Sequence, residues 1–110
     1  MRFNADKTLK QRTMVNLDVT VKNGLPPLRL SVDITCLDNP ENNRNYQSDL
    51  GFNTDFDLAP GRYTLLLHGS NPPGGTTDVS LTGVFITGPL PGSSYTSGIA
   101  TYDAIFYFVI

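Results

Sequence analysis

Apolar and polar residues alternate along much of this chain. Val15, Leu17, Val19 and Val21 are separated by Asn16, Asp18 and Thr20. A period of two turns one set of side chains inward and the other into water, which predicts a half-buried strand. The segment Asn23-Gly24-Leu25-Pro26-Pro27 then interrupts the ladder, because proline has no amide to donate. A second alternation follows at once, with Leu28, Leu30, Val32, Ile34 and Cys36 set against Arg29, Ser31, Asp33 and Thr35.

Residues 38–45 are polar throughout and predict a loop. A third alternation sets Leu50, Phe52, Phe56 and Leu58 against Asp49, Asn53, Asp55 and Asp57. Ala59-Pro60-Gly61 predicts a tight type II turn, with glycine supplying a positive φ. The next strand has Tyr63, Leu65 and Leu67 inward. Residues 79–87 predict a strand with a bulge at Gly83, where the apolar phase shifts from Val79-Leu81 to Val84-Ile86. Residues 88–94 predict a turn or exposed loop. In the last stretch, from Ala104 onward, the alternation disappears and both faces are apolar.

The pattern predicts an all-β fold: a small two-sheet antiparallel β-sandwich of about six or seven strands, immunoglobulin-like or prealbumin-like in kind. Residues 1–12 form an N-terminal arm and 13–110 one sandwich domain. Composition agrees, since the 110 residues hold only three Lys and one Glu, while β-branched and aromatic residues abound.

Charge narrows the partners. The net charge is −2 and the cations are scattered, so no basic cluster exists to displace the counterions of a nucleic acid. No apolar run approaches the roughly 20 residues of a spanning helix, so membrane insertion is not expected. The segment MRFNADKTLKQRT lacks the apolar core of a signal peptide. The expectation is a protein that stays in the cytoplasm, belongs to a larger assembly, or is exported without a cleaved signal.

The stretch Phe52 to Leu65, with its Leu58-Ala59-Pro60-Gly61-Arg62-Tyr63-Thr64-Leu65 turn, resembles a hairpin of prealbumin-like sandwiches. These include the carboxypeptidase regulatory-like and collagen-binding B-type domains. Val19 to Leu28, followed by Val32 and Ile34, resembles their opening strand, turn, Pro-Leu and strand. The resemblance covers roughly residues 15 to 67. It implies a stalk, accessory module or assembly unit without catalysis. It also raises a Lys-to-Asp isopeptide bond between Lys22 and Asp103, although Lys22 falls on a polar face.

Candidate chemistry is sparse. Asp38, Asn39, Glu41, Asn42, Asn43, Asn45 and Tyr46 carry oxygen and amide groups suited to calcium or a sugar, and the Asn71–Gly75 loop could contribute. Their spacing fits no EF-hand, and the composition equally suits a solvated turn. Without a tryptophan, Tyr46, Tyr95 and Tyr102 would have to serve as sugar platforms. Asp55 and Asp57 share a strand face but no apolar pocket that would raise one carboxyl for acid–base work. Cys36 is a single thiol and His68 a single imidazole, so neither a disulfide nor a metal site follows. No catalytic residue, metal or cofactor is assigned.

The C-terminal run Ile105, Phe106, Tyr107, Phe108, Val109 and Ile110 stands apart, because every side chain needs cover. Either a loop such as 88–94 covers its second face, or another subunit does. The sequence therefore points to a structural module that self-associates or docks on a protein complex through this strand. A glycan- or calcium-dependent binding module is the alternative.

Overall fold

The computed structural model describes residues 12–24 and 28–110. The fold is an all-β sandwich of two antiparallel sheets. Nine strands are present among the described residues: β1 (Thr13–Lys22), β2 (Leu30–Cys36), β3 (Arg44–Ser48), β4 (Phe52–Leu58), β5 (Arg62–Ser70), β6 (Thr76–Thr82), β7 (Thr87–Leu90), β8 (Ser94–Ser97) and β9 (Thr101–Val109). The order is β4-β1-β6-β8 in the four-stranded sheet and β3-β2-β5-β9-β7 in the five-stranded sheet.

The core lies between the sheets, where the two inner faces meet. Val15, Leu17 and Val19 of β1 face Leu30, Val32 and Ile34 of β2 and Tyr63, Leu65 and Leu67 of β5, all buried as their alternation requires. Each such side chain contributes about 1.5–3 kcal/mol by leaving water. Tyr63 stacks on Phe108 at 5.4 Å, and Phe85 meets the same ring at 5.1 Å.

The Pro60-Gly61 turn differs from the type II expectation. Gly61 has φ 157°, whereas that turn needs about +80°. Space is tight there: a Cβ would stand 3.2 Å from Cys36 Sγ and 3.4 Å from Asp38 Oδ2, which would have to give by a few tenths of an ångström. The Gly61 amide donates to the Ile110 carbonyl and the Ile110 amide returns the bond, both at 2.9 Å. Tyr63 Oη donates to the Ala59 carbonyl at 2.7 Å, clamping the same corner. Burial pushes the Tyr63 phenol up to about 12.

Several boundaries differ from the sequence expectation. β1 and β2 are consecutive but lie in different sheets, joined through Asn23, which takes the left-handed φ of 61° that asparagine tolerates. The polar stretch expected as a loop ends at Asn43, and Arg44–Ser48 forms an edge strand on β2. The third alternation starts at Phe52, because Leu50 sits exposed in the β3–β4 turn. Gly83 is not a bulge. β6 ends at Thr82, and residues 83–86 cross to the other sheet, which leaves Val84 and Ile86 outside the core. Residues 88–94 are not one loop, for β7 occupies 87–90 and β8 begins at Ser94.

Candidate functional site

The outer faces of the two sheets are built from the second set of each alternation. On the five-stranded sheet, antiparallel register sets Leu66 of β5 opposite Ile105 of β9, Thr64 opposite Tyr107, and Arg62 opposite Val109. Leu90 of β7 pairs with Tyr107. Ile105 is 58% exposed, Leu90 50% and Leu66 36%, with Tyr107 and Val109 half-buried. These five side chains form a contiguous apolar patch on an otherwise polar sheet.

The six-residue apolar run divides between the two faces. Phe106, Phe108 and Ile110 point into the core and are buried, so an interface role for them is corrected by their position. Ile105, Tyr107 and Val109 point outward. A period of two makes this division inevitable in a straight strand. β9 is flanked by β5 and β7, and residues 87–90 extend the sheet at its edge as β7 rather than lying over the outer face of β9.

Ion pairs bound the patch at both ends. Arg62 donates through Nε (3.1 Å) and Nη2 (2.8 Å) to Asp38 Oδ1, and its backbone amide donates to Asp38 Oδ2 at 2.8 Å. The Arg62 hydrogen bonds hold the Asp38 carboxyl below its ordinary range. At the other end His68 Nδ1–H donates to Asp103 Oδ1 at 2.6 Å.

Beside that second pair lies an open cleft of about 790 Å³, lined by Arg29, Ser31, Gln47, Asp49, His68 and Thr101 among others. Arg29 holds a left-handed φ of 54° there. Ser31, His68 and Asp103 stand in register across β2, β5 and β9, a row with the residue types of a serine hydrolase. Its geometry does not fit that chemistry. No hydrogen bond joins Ser31 to His68 among the described residues, so the base is not set on the hydroxyl it would have to activate. Cys36 faces the core while His68 faces out, so these two form no dyad.

The Asn/Asp-rich segment is used internally. Asp38 holds Arg62, Asn39 Oδ1 accepts from the Glu41 amide at 3.1 Å, and Asn43 Oδ1 accepts from the Cys36 amide at 2.7 Å. Arg44 Nη1 donates to the carbonyls of Glu41 and Asn43. Asn42 closes a short 3-10 turn and Asn45 is an exposed β3 residue. Tyr46 packs inward against Phe52 at 4.8 Å, which removes it as a sugar platform. Asn71 is buried, donating to the Ile99 carbonyl and accepting from Thr77 Oγ1. Tyr102 is buried as well, with Tyr95 tilted against it. Among the described residues no group of three or more His, Cys, Asp or Glu could hold a metal ion.

The four-stranded sheet presents a different outer face. Asp18, Asp55, Asp57 and Asp78 stand there with Asn16, Asn53, Thr20 and Ser80. Arg12 reaches Asp57 at 3.1 Å, and Lys22 reaches Asp78 at 2.9 Å. Lys22 and Asp103 therefore lie on outer faces of opposite sheets, each with another partner, and cannot form the isopeptide bond.

What the sequence missed is the company of Ile105. Leu66 read as one more apolar residue beside Leu65 and Leu67, and Leu90 as part of a loop. A strand in which Leu65-Leu66-Leu67 violates alternation was the available signal. No family model, curated protein or solved structure matches this chain.

Proposed function

We propose that this chain is a non-catalytic structural module that docks on a protein partner through the outer face of its five-stranded sheet. The observation that carries the reading is the exposed Ile105–Leu66 pair, extended by Leu90, Tyr107 and Val109 into one apolar patch. Apolar area of this kind gains about 25 cal/mol for each Å² removed from water. Arg62 and Asp38 at one end are already paired within the chain, so covering them desolvates fewer lone ions, while Asp33 stands exposed on β2 beside Leu66. The resemblance to prealbumin-like modules, whose members serve as stalks and assembly units, supports the same reading.

The calcium or glycan alternative is weakened because Asp38, Asn39 and Asn43 are committed to an ion pair, a cap and a backbone hydrogen bond. The test uses the immobilised wild-type chain and its Ile105→Lys variant as baits in an extract of the source cells. A partner held by the wild type and lost from the variant is the expected result. Equal retention on both overturns the reading.

A further inference from the structure

We infer that the occupant of this face is a second copy of the chain, packed face to face about a two-fold axis crossing β5 and β9 in the plane of the interface. This inference rests on the docking reading above and names its partner. Two observations lead to it.

Two of the four sheet edges are poor templates for pairing. Pro89 in β7 has no amide to offer a further strand, and β7 is only four residues long. The edge strand β4 carries Asp55 and Asp57, which would meet each other across an antiparallel pair centred on Phe56. The four-stranded outer face is excluded by the same repulsion. The apolar face carries no such repulsion across Leu66, Ile105 and Tyr107.

The face is also complementary to itself. Arg62 and His68 lie equally far along β5 from Leu65, whose cross-strand partner is Phe106. A two-fold axis at that level, perpendicular to the strands, reverses β5 over β5 and β9 over β9 of the second copy. Leu66 and Ile105 then meet Thr64 and Tyr107 of the second copy, and Arg62 lies over its His68–Asp103 pair. Among the described residues the groups needed for that contact are unengaged: Arg62 uses Nε and Nη2 on Asp38, leaving Nη1, and Asp103 uses Oδ1 on His68, leaving Oδ2. An isologous interface makes the Arg62–Asp103 contact twice.

The flat area of the whole face falls short of a standard interface before side-chain relief is counted. At about 3.3 Å per residue and about 4.8 Å between strands, the five-stranded sheet presents roughly 550 Å² of flat area, more once side-chain relief is counted. A standard stable interface covers about 800 Å² on each partner.

The test is sedimentation equilibrium of the purified chain up to about 100 µM, with circular dichroism confirming the fold of every variant. The wild type sediments as a dimer. Arg62→Glu and Asp103→Lys each weaken it by at least about tenfold, since each sets like charges together twice. An equimolar mixture of the two variants regains the dimer. In the mixed pair the two introduced side chains, of opposite charge, face each other at one contact, and the native Arg62 and Asp103 meet at the other. If either charge variant fails to fold, Ile105→Lys, altered only at an exposed position, must also yield monomer. A monomeric wild type overturns the self-pairing, and the bait experiment then decides docking on a different protein. A dimer indifferent to Ile105→Lys, Arg62→Glu and Asp103→Lys overturns both readings. Loss in each charge variant without recovery in the mixture overturns the two-fold register.

Discussion

The two sheets show opposite characters to their surroundings although both obey the same alternation. The four-stranded sheet exposes four aspartates and, apart from Met14, no large apolar side chain on its strands. The five-stranded sheet exposes Leu66, Leu90 and Ile105 between two internal ion pairs. Both inner faces are closed and dry, so the difference has nothing to do with forming the core. An antiparallel sheet needs one apolar face to fold, and a second apolar patch calls for another explanation. The explanation we propose is docking.

The largest expected effect fixes the scale of the contrast. Phe106→Ala removes a buried ring and lowers stability by about 3–5 kcal/mol in chemical denaturation. Ile105→Ala, one position along the same strand, changes it by less than about 0.5 kcal/mol in dilute protein, as an exposed site does. An equal loss at both positions would make the outer patch part of the core and erase the difference between the sheets.

Association is the next discriminator. Ile105→Lys weakens assembly at least tenfold, or about 1.4 kcal/mol, by placing a charge in the patch. Met14→Lys on the opposite face leaves assembly unchanged by light scattering. If Met14→Lys is the damaging change, the acidic face is the interface and the assignment is reversed.

A smaller effect concerns the corner beneath the apolar face. Tyr63→Phe deletes the hydroxyl that donates to the Ala59 carbonyl and lowers stability by about 1 kcal/mol, without altering assembly. Because the folded phenol ionises near 12 and an unfolded one near 10, its contribution is full below pH 10 and is lost as the pH rises toward 12. The alkaline arm of a stability–pH curve should shrink in the variant.

The smallest effect compares one ion pair from each face. Hydrogen bonds from Lys22 and Thr96 hold Asp78 below its ordinary carboxyl value, and those from Arg62 do the same for Asp38. Stability from such groups is present above about pH 4 and declines as the pH falls through the folded value. Asp78→Asn and Asp38→Asn should each flatten the acid limb slightly, since both pairs are exposed.

Much of this architecture was legible in the residues. β1 and β2 are written in alternation and β5 departs from it only at Leu66, and the buried sets of all three follow a period of two. β3 was not legible, because Arg44-Asn45-Tyr46-Gln47-Ser48 contributes one aromatic to the core and draws its strand character from pairing with β2. β7 was hidden by Gly88 and Pro89, which signal a turn locally while the neighbour β9 imposes a strand. Gly83 marked a change of phase correctly, but periodicity cannot say that the phase changes because the chain changes sheet. The apolar patch was half legible for a similar reason. Ile105 and its run stood out, whereas the juxtaposition with Leu66 and Leu90 is created by register alone.

The most direct test of the docking face is carbene footprinting of the intact chain over a rising concentration series, read at both outer faces in the same sample. The account predicts falling label at Leu66, Leu90 and Ile105 with constant label at Met14. Constant label at all four, or protection confined to Met14, would contradict it.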